Sequence, residues 1–239
     1  MGAEKKTRLD KYVAQALEIP RSASREMIAK GRVTVNGQVC KKADTQLEPG
    51  ADVCAGGRPL HHEAFVYLML NKPEGVVSAA EDKRDTTVVD LVRDAYPRRA
   101  LFPAGRLDKT STGFVLLTDD GAFAHDILAP KRHVSKTYTV VLDTPLTEEM
   151  RTGFADGVTL ADGTALSPAE VTALSADGLT VRVVLRQGVY HQIKRMFGVY
   201  GAGVNGLHRD AIGGLALDAA LAPGQWRELS AEEVSKITI

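Results

Sequence analysis

A polar loop, an apolar strand and a tight turn follow one another between Ala104 and Gly121, in the order A-G-R-L-D-K-T-S-T-G-F-V-L-L-T-D-D-G. The apolar run Phe114–Leu117 has the length and composition of a buried strand. Gly113, just before it, allows another stretch of backbone to approach closely. The turn residues Asp119-Asp120-Gly121 end the strand. The order predicts a buried strand with a polar loop at its entrance.

The polar loop carries one carboxylate, Asp108. A lone aspartate in a loop is usually a turn former or a helix cap, and spacing alone favours that role. Here Arg106 lies two residues before it, and Thr110 and Thr112 add hydroxyl groups. This context makes a catalytic carboxylate the alternative.

The size and composition of the chain indicate one ordinary domain plus a small one. It has 239 residues, of which 44% are hydrophobic, enough to bury a core. It contains no run of 18 apolar residues that could span a bilayer, and its first residues lack the apolar core of a signal peptide. We therefore expect a cytoplasmic protein. Cys40 and Cys54 lack the spacing of a zinc site or a disulfide framework, so we expect both to be reduced.

Charge is balanced overall but unevenly distributed. The chain has 30 basic and 30 acidic residues. Residues 1–42 hold ten Lys or Arg against four Asp or Glu, and residues 182–209 hold five against none. Segregated basic patches in a neutral protein indicate a surface that binds a polyanion. The alternative is two solvated helix faces.

The first sixty residues form a self-contained pattern of two helices and a hairpin. The first helix ends before Pro20, and its apolar stripe has helical spacing. The stripe consists of Leu9, Tyr12, Val13, Ala16 and Leu17. A second helix is predicted to be capped by Ser22 and to end at Gly31. Asn36-Gly37, between alternating apolar residues, predicts the turn of the hairpin. Residues 61–65, which include two histidines that we expect to be exposed, form a linker.

Basic side chains of this module cluster on the second helix and around the hairpin, where they could line one face. They are Arg21, Arg25, Lys30, Arg32, Lys41 and Lys42. The start R-L-D-K-Y-V-A, followed by G-R-V-T-V-N-G, resembles the S4-like RNA-binding domain over about fifty-five residues. The resemblance implies an RNA-binding domain over residues 1–60, in which Arg21, Arg25, Lys30 and Arg32 hold phosphates. A neutral capping subdomain is the alternative.

The remainder mixes strands and helices without a strict β-α-β order, which indicates an α+β domain. Strands are predicted at 114–118, 137–142 and 179–185, after a first one that starts at Phe65. Helices are predicted near 88–96, 121–128, 148–154 and 190–199.

Several motifs of this region resemble those of the bacterial ribosomal-RNA pseudouridine synthases. They are G-R-L-D at Asp108, T-x-G, L-L-T-D-D-G, N-K-P-x-G at 71–75, K-T-Y at 136–138 and the ending L-A-P-G-Q-W-R-E-L-S-A-E-E-V. The resemblance implies a catalytic domain over residues 66–239, with a mostly antiparallel mixed sheet flanked by helices.

The resemblance also implies roles for individual residues. Asp108 is the catalytic aspartate, acting as nucleophile or charge stabiliser at the sugar or the base. Tyr138 stacks against the target base, and Lys194 provides a cation near the aspartate. Such a cation is needed because burial of a carboxyl group raises its pKa. Arg106 enters the space that the extruded uridine leaves, and Leu207 supplies an apolar wall.

The segment Tyr190-His191-Gln192 favours the small-subunit branch, because large-subunit relatives more often carry N-R-Q or N-R-E there. We assign His191, Gln192 and Arg195 to substrate binding. The alternative for this stretch is an ordinary amphipathic helix with Lys194 and Arg195 exposed.

The expected substrate is one uridine in 16S rRNA, free or in a small-subunit assembly intermediate, and the expected enzyme is a monomer. Its isomerisation is redox neutral, so we expect no metal, nucleotide or other cofactor. The run Gly201–Gly206 reads G-x-G-x-x-G but follows a helical pattern, so we interpret it as a loop. Three alternatives are a 23S rRNA synthase of the same family, a noncatalytic RNA-binding ribosome-assembly protein, and a glycoside hydrolase. The last would use Asp108 with Asp119 or Asp120, but those two residues read as a turn.

Overall fold

The computed structural model describes residues 7–17, 19–48, 50–60, 65–129 and 134–238. The chain divides into two compact units, Met1–Ala64 and Phe65–Ile239. Residues 61–64 of the predicted linker, with both histidines, lie outside the described residues. Among the described residues, none of the helices is long and apolar enough to cross a membrane.

The N-terminal unit consists of two short helices and short strands. In chain order these are β1 (Thr7–Arg8), α1 (Leu9–Ala16), α2 (Arg21–Ala29), β2 (Val33–Val35), β3 (Gln38–Val39), β4 (Gln46–Leu47), β5 (Val53–Ala55) and β6 (Arg58–Pro59). Leu9 and Val13 of the predicted stripe are fully buried and share a core with Ile28 of α2, while the other three stripe residues are partly buried. The hairpin turn is confirmed, because Asn36 and Gly37 both have positive φ, 49° and 79°, as a type I′ turn requires.

The predicted cap of the second helix is wrong. The helix begins at Arg21, directly after Pro20, and no side chain caps its first turn. Ser22 is therefore inside the helix. The predicted end is confirmed, since Gly31 follows the helix with φ 69°, the conformation that glycine adopts most readily after a helix.

The C-terminal unit is built on one large mixed sheet. Its elements are β7 (Tyr67–Lys72), β8 (Phe102–Pro103), β9 (Thr112–Thr118), α3 (Gly121–Leu128), β10 (Lys136–Leu142), α4 (Glu148–Asp156), β11 (Glu170–Ala173), β12 (Thr180–Leu185), α5 (Gln192–Val199), β13 (Val204–Ile212), β14 (Leu215–Ala216), β15 (Trp226–Glu228) and α6 (Ala231–Ile237). The strand order is β11-β12-β10-β13-β9-β7-β15. The pairing of β13 with β9 is parallel and the others along this order are antiparallel. The α+β prediction with a mostly antiparallel mixed sheet is confirmed.

Burial of β9 on both faces explains its continuous apolar sequence. Val115 and Leu117 pack into one core, and Phe114 and Leu116 pack into a second core on the opposite face. Strand β10 has only one covered face. Its Tyr138, Val140 and Leu142 point into the first core, while the residues between them are partly or fully exposed. Its sequence therefore alternates.

The predicted helix near residues 88–96 is absent, and the segment forms a series of turns. The Asp90 carboxylate accepts hydrogen bonds from the backbone N and hydroxyl of Thr87, which fixes a turn at its start. Later bonds span three residues, as from Val92 N to Val89 O. Valines at 88, 89 and 92 are buried, and their β-branched side chains favour a helix weakly.

Other boundaries also differ from the predictions. The strand predicted from Phe65 begins at Tyr67. The helix predicted from Tyr190 begins at Gln192, because His191 before it has φ 50°, which is incompatible with a right-handed helix. The loop predicted over Gly201–Gly206 ends early, since β13 begins at Val204.

Candidate active site

A cleft of about 750 Å³ opens between the loop before β9, the strands β10 and β13, and the start of α5. Seven of the residues assigned from the sequence line it. They are Arg106, Asp108, Tyr138, His191, Gln192, Lys194 and Leu207. The cleft lies entirely within the C-terminal unit.

Asp108 lies between two side chains of the α5 region. His191 Nε2 is 3.3 Å from its Oδ1, and Lys194 Nζ is 3.8 Å from its Oδ2. Lys194 also donates a hydrogen bond to Thr110 Oγ1 at 3.1 Å. The left-handed backbone of His191 places its side chain ahead of the helix, while Lys194 lies within the first turn. The start of α5 therefore presents two nitrogen groups to one carboxylate.

The loop that carries Asp108 is held by buried side chains from the preceding segment. Ser78 Oγ donates to Leu107 O at 2.9 Å and accepts from Leu107 N at 3.0 Å. Lys72 Nζ donates to the carbonyl oxygens of Pro73, Lys109 and Ser111, at 3.0, 3.4 and 2.6 Å. These bonds fix the backbone on both sides of Asp108.

Lys72 is fully buried, which is rare for a lysine. Burial lowers the pKa of Lys72 to about 8, while the negative charges of Asp108 and Glu74 act in the opposite direction. In the sequence, Lys72 stands out only as part of the N-K-P-x-G motif. Its lysine-to-carbonyl bonds could not be inferred from the motif, because they depend on how the loop folds back.

Tyr138 faces the cleft from β10 and is 9% exposed. In the ladder between β10 and β13 it lies opposite Arg209. Lys136, two residues before it, lines the same cleft, and Leu207 lines it from β13. The alternate residues Thr137 and Thr139 line a different pocket on the other face. An aromatic side chain at this depth can stack against a base.

Two assigned residues of α5 have structural partners. The side chain of Gln192 is buried, and its Oε1 accepts from Val189 N at 3.0 Å, so it closes the turn before the helix. Arg195 does not line the cleft, and its guanidinium pairs with Asp162.

The assigned basic residues of the N-terminal unit have exposed side chains, and two of them, Arg21 and Arg25, share one carboxylate. Arg21 and Arg25 donate to the carboxylate of Asp10 at 2.9 Å, and Arg8 donates to it at 3.1 Å. Burial would raise the pKa of Asp10, but the hydrogen bonds from the arginines outweigh it and hold that pKa well below its usual range. A buried carboxylate thus gathers three half-exposed guanidinium groups.

Lys30 and Arg32 lie at the end of α2 and just beyond it. Lys30 Nζ is 2.5 Å from Glu26 Oε1, one turn earlier on the same helix. Arg32 is exposed. The pairing with Glu26 offsets part of the positive charge that Lys30 contributes.

Four further residues of the cleft region were given no role from the sequence. They are Lys72, Lys136, Tyr190 and Arg209. Tyr190 is 71% exposed and stacks on the ring of His191 with ring centroids 3.8 Å apart. Two of the four lie in motifs that the sequence already showed: Tyr190 in the Y-H-Q segment and Lys136 in the K-T-Y motif. Their positions in the cleft depend on the tertiary fold and could not be read from those motifs.

The aspartates required by the glycosidase alternative have other roles. Asp120 caps α3 by accepting from the backbone N of Ala122 and Phe123. Asp119 accepts from Val66 N and pairs with Arg99. Within the described ranges, no group of three or more His, Cys, Asp or Glu side chains is arranged to hold a metal ion.

Comparison with known proteins identifies the family. The family model for RNA pseudouridylate synthase matches residues 66–198, and the model for the S4 domain matches residues 7–53. The chain belongs to the RNA pseudouridine synthase family, with an S4 domain ahead of the synthase domain. The family predicted from the sequence motifs is thereby confirmed.

The chain is similar to curated proteins over nearly its whole length. It is 40% identical over 232 residues to ribosomal small subunit pseudouridine synthase A of Escherichia coli, covering 96% of this chain and 99% of that protein. It is 40% identical over 230 residues to an uncharacterized RNA pseudouridine synthase of Bacillus subtilis, covering 95% and 96%. A crystal structure of a pseudouridylate synthase matches with a TM-score of 0.68 and 37% identity, covering 96% of this chain and 99% of that one.

Proposed function

We propose that this enzyme converts one specific uridine of 16S rRNA to pseudouridine, with Asp108 at the reacting centre. The observation that carries the proposal is the position of Asp108 between Lys194 and His191, in the same cleft as Tyr138. The target RNA is inferred from the similarity to synthases named for the small ribosomal subunit. The motif Tyr190-His191-Gln192 favours the same branch.

The reaction breaks the bond between uracil N1 and ribose C1′, turns the base, and joins C5 to C1′. A proton leaves C5 and N1 gains one, so atoms and electrons balance within the nucleotide. In this proposal Asp108 acts as nucleophile or charge stabiliser, and either role requires an ionised carboxylate. The Lys194 ammonium group lies 3.8 Å from Asp108 Oδ2 and supplies the opposite charge beside it.

The remaining assigned residues would hold the RNA. Tyr138 stacks against the extruded base and Leu207 supplies an apolar wall. Arg106 is exposed at the cleft, where it can occupy the space that the uridine leaves. The S4-like domain, residues 1–60, would bind phosphates through its basic side chains while the catalytic domain, residues 66–239, carries out the reaction. Phosphate contacts position an RNA but carry no sequence information. We therefore expect RNA shape to select the site.

The target RNA is tested by incubating purified protein with unmodified 16S and 23S rRNA, free and as ribosomal particles, followed by chemical mapping of pseudouridine. One new site in 16S material is expected. A site only in 23S rRNA would move the protein to the large-subunit branch. The absence of any site would favour a noncatalytic RNA-binding protein.

The role of Asp108 is tested by Asp108→Asn, which removes a charge but little volume. We expect isomerisation to be abolished while RNA affinity changes little. Asp85→Asn is the matched control, because Asp85 pairs with Lys109 outside the cleft. Equal losses of affinity and activity in Asp108→Asn would make Asp108 a structural residue.

A further inference from the structure

Arg209 has an unsatisfied hydrogen-bonding group in the wall of the cleft. The residue is 3% exposed, and its Nε donates to Phe114 O at 2.6 Å. Its Nη2 is buried and has no partner. An unpaired buried donor is costly, so such a group in a functional cleft calls for a ligand.

Lys136 places a second cation in the same cleft. Its Nζ donates to Val134 O at 2.8 Å. Burial and, to a smaller extent, the positive charge of Arg209 together lower the pKa of Lys136 to about 8. Across the residues that the structure describes, neither cation forms an ion pair with a carboxylate. Asp108, the acidic residue of the cleft, is paired with His191 and Lys194. Two partly desolvated like charges without a counterion favour the binding of an anion.

The two cations have a defined position relative to Tyr138. Arg209 is its direct neighbour across the β10–β13 ladder. Lys136 lies two residues before Tyr138 on the same face of β10, and two residues advance a strand by about 7 Å. In a nucleotide, one sugar separates the base from its phosphate. A base stacked on Tyr138 therefore brings a phosphate within reach of Lys136 and Arg209.

We propose that Lys136 and Arg209 form an anion subsite that binds a phosphate group of the nucleotide whose base enters the cleft. The inference rests on the proposed function, because it assigns the same cleft to an RNA substrate. By holding the RNA backbone on one side of the sugar, the subsite would fix the position of that sugar relative to Asp108. Arg209 contributes its unpaired buried donor, and Lys136 contributes a second positive charge.

The first experiment uses the RNA that the wild-type protein isomerises and compares its binding to the Asp108→Asn protein with its binding to the double variant Asp108→Asn/Lys136→Met. We expect the slope of log affinity against log salt concentration to fall by about 0.7, the contribution of one phosphate contact in single-stranded nucleic acid. Lys236→Met in the same background is the control, since Lys236 pairs with Glu232 on α6, and its slope should equal that of Asp108→Asn alone. An unchanged slope for Lys136→Met would overturn the binding of an RNA phosphate.

The second experiment uses inorganic phosphate and no RNA, so it does not depend on turnover. We expect phosphate to raise the thermal unfolding midpoint of the wild-type protein above that in chloride of equal ionic strength, and to do so less for Lys136→Met. Equal responses in the two proteins would overturn the subsite itself. If phosphate stabilises Lys136→Met less than the wild type, but the salt dependence of RNA affinity is unchanged in the first experiment, the subsite binds a free anion and not an RNA phosphate. A failure to form pseudouridine in any RNA would count against the proposed function alone, and the phosphate response would still decide the subsite.

Discussion

Three aspartates of the segment Ala104–Gly121 have different surroundings, and these surroundings separate their roles. Asp119 and Asp120 satisfy backbone N–H groups and an arginine, as residues at turns and helix caps do. Asp108 instead faces the cleft, with His191 and Lys194 against it and about a quarter of its side chain exposed (27%). The loop that carries it is held by hydrogen bonds from the buried Lys72 and Ser78, so the position of Asp108 depends on both side chains.

The pH dependence of stability tests the state of Lys72. Its pKa is lowered from 10.5 to about 8. Below pH 8 the lysine is charged in both the folded and unfolded states, and burial of the charge opposes folding in full. Between pH 8 and 10.5 the folded state releases the proton first, so stability rises with pH. The free energy of unfolding of wild type minus that of Lys72→Met should therefore increase from pH 7 to pH 10, by up to about 3 kcal/mol.

Urea unfolding at pH 7, 8, 9 and 10 measures this difference. Lys236→Met is the control, because the pairing with Glu232 raises the pKa of Lys236, and its difference should stay constant over this range. A constant difference for Lys72→Met as well would mean that Lys72 titrates near its usual value.

At the scale of elements, the sequence predicted those whose pattern is set by burial along the chain. The apolar run of β9, the alternation of β10 and the stripe of α1 correspond to real elements because each reflects a face that packs against a core. The predictions failed where a local contact decided the backbone. The hydrogen bonds between Thr87 and Asp90 fix turns where a helix was predicted. The left-handed conformation of His191 moves the start of α5 from residue 190 to residue 192.

A substitution at Gly113 tests the contact between β9 and β13, which brings the Asp108 loop beside Arg209. It has φ 102°, and an added Cβ would lie 2.6 Å from Arg209 N and closer still to its carbonyl O. We expect Gly113→Ala to lower the free energy of unfolding by on the order of 3 kcal/mol or more, through strain and the clash together. Chemical denaturation measures the loss.

Gly224→Ala is the matched control for the backbone conformation alone. Gly224 has φ 86°, with nothing within 4 Å of the added Cβ, so the expected loss is only about 1–2 kcal/mol. Equal losses in the two variants would show that β9 and β13 can separate at no cost and that the close approach is unimportant.

At the scale of the whole molecule, the order of an S4 domain and a synthase domain was predictable from motifs, and so were seven residues that share the cleft. The parts that could not be predicted arise where distant segments meet. The unpaired Arg209 Nη2 and the fully buried Lys72 depend on packing between segments that are far apart in sequence. The arginines around Asp10 are nearer to it in sequence, but Arg21 and Arg25 meet it only because α1 packs against α2. The amino-acid composition shows that these residues are charged but not where they lie or what they contact.

Separate cores predict that the two units can be uncoupled. The core residues of the N-terminal unit lie between Leu9 and Leu60, and those of the C-terminal unit lie beyond residue 65. We expect a chain of residues 65–239 to keep a cooperative unfolding transition, while its affinity for rRNA falls. The slope of log affinity against log salt should decrease by roughly 0.7 to 0.9 for each RNA phosphate that the shortened chain no longer binds. The variant Arg21→Gln/Arg25→Gln should bind up to two fewer phosphates. Because it removes two of the three arginines that the described structure places against the buried Asp10, its folding must be verified by circular dichroism. Lys30→Gln/Arg32→Gln leaves Asp10 untouched and provides the independent comparison. If the shortened chain binds with the affinity and slope of the full protein, the basic side chains of the first unit do not contact RNA phosphates, and the whole electrostatic attraction comes from the catalytic unit.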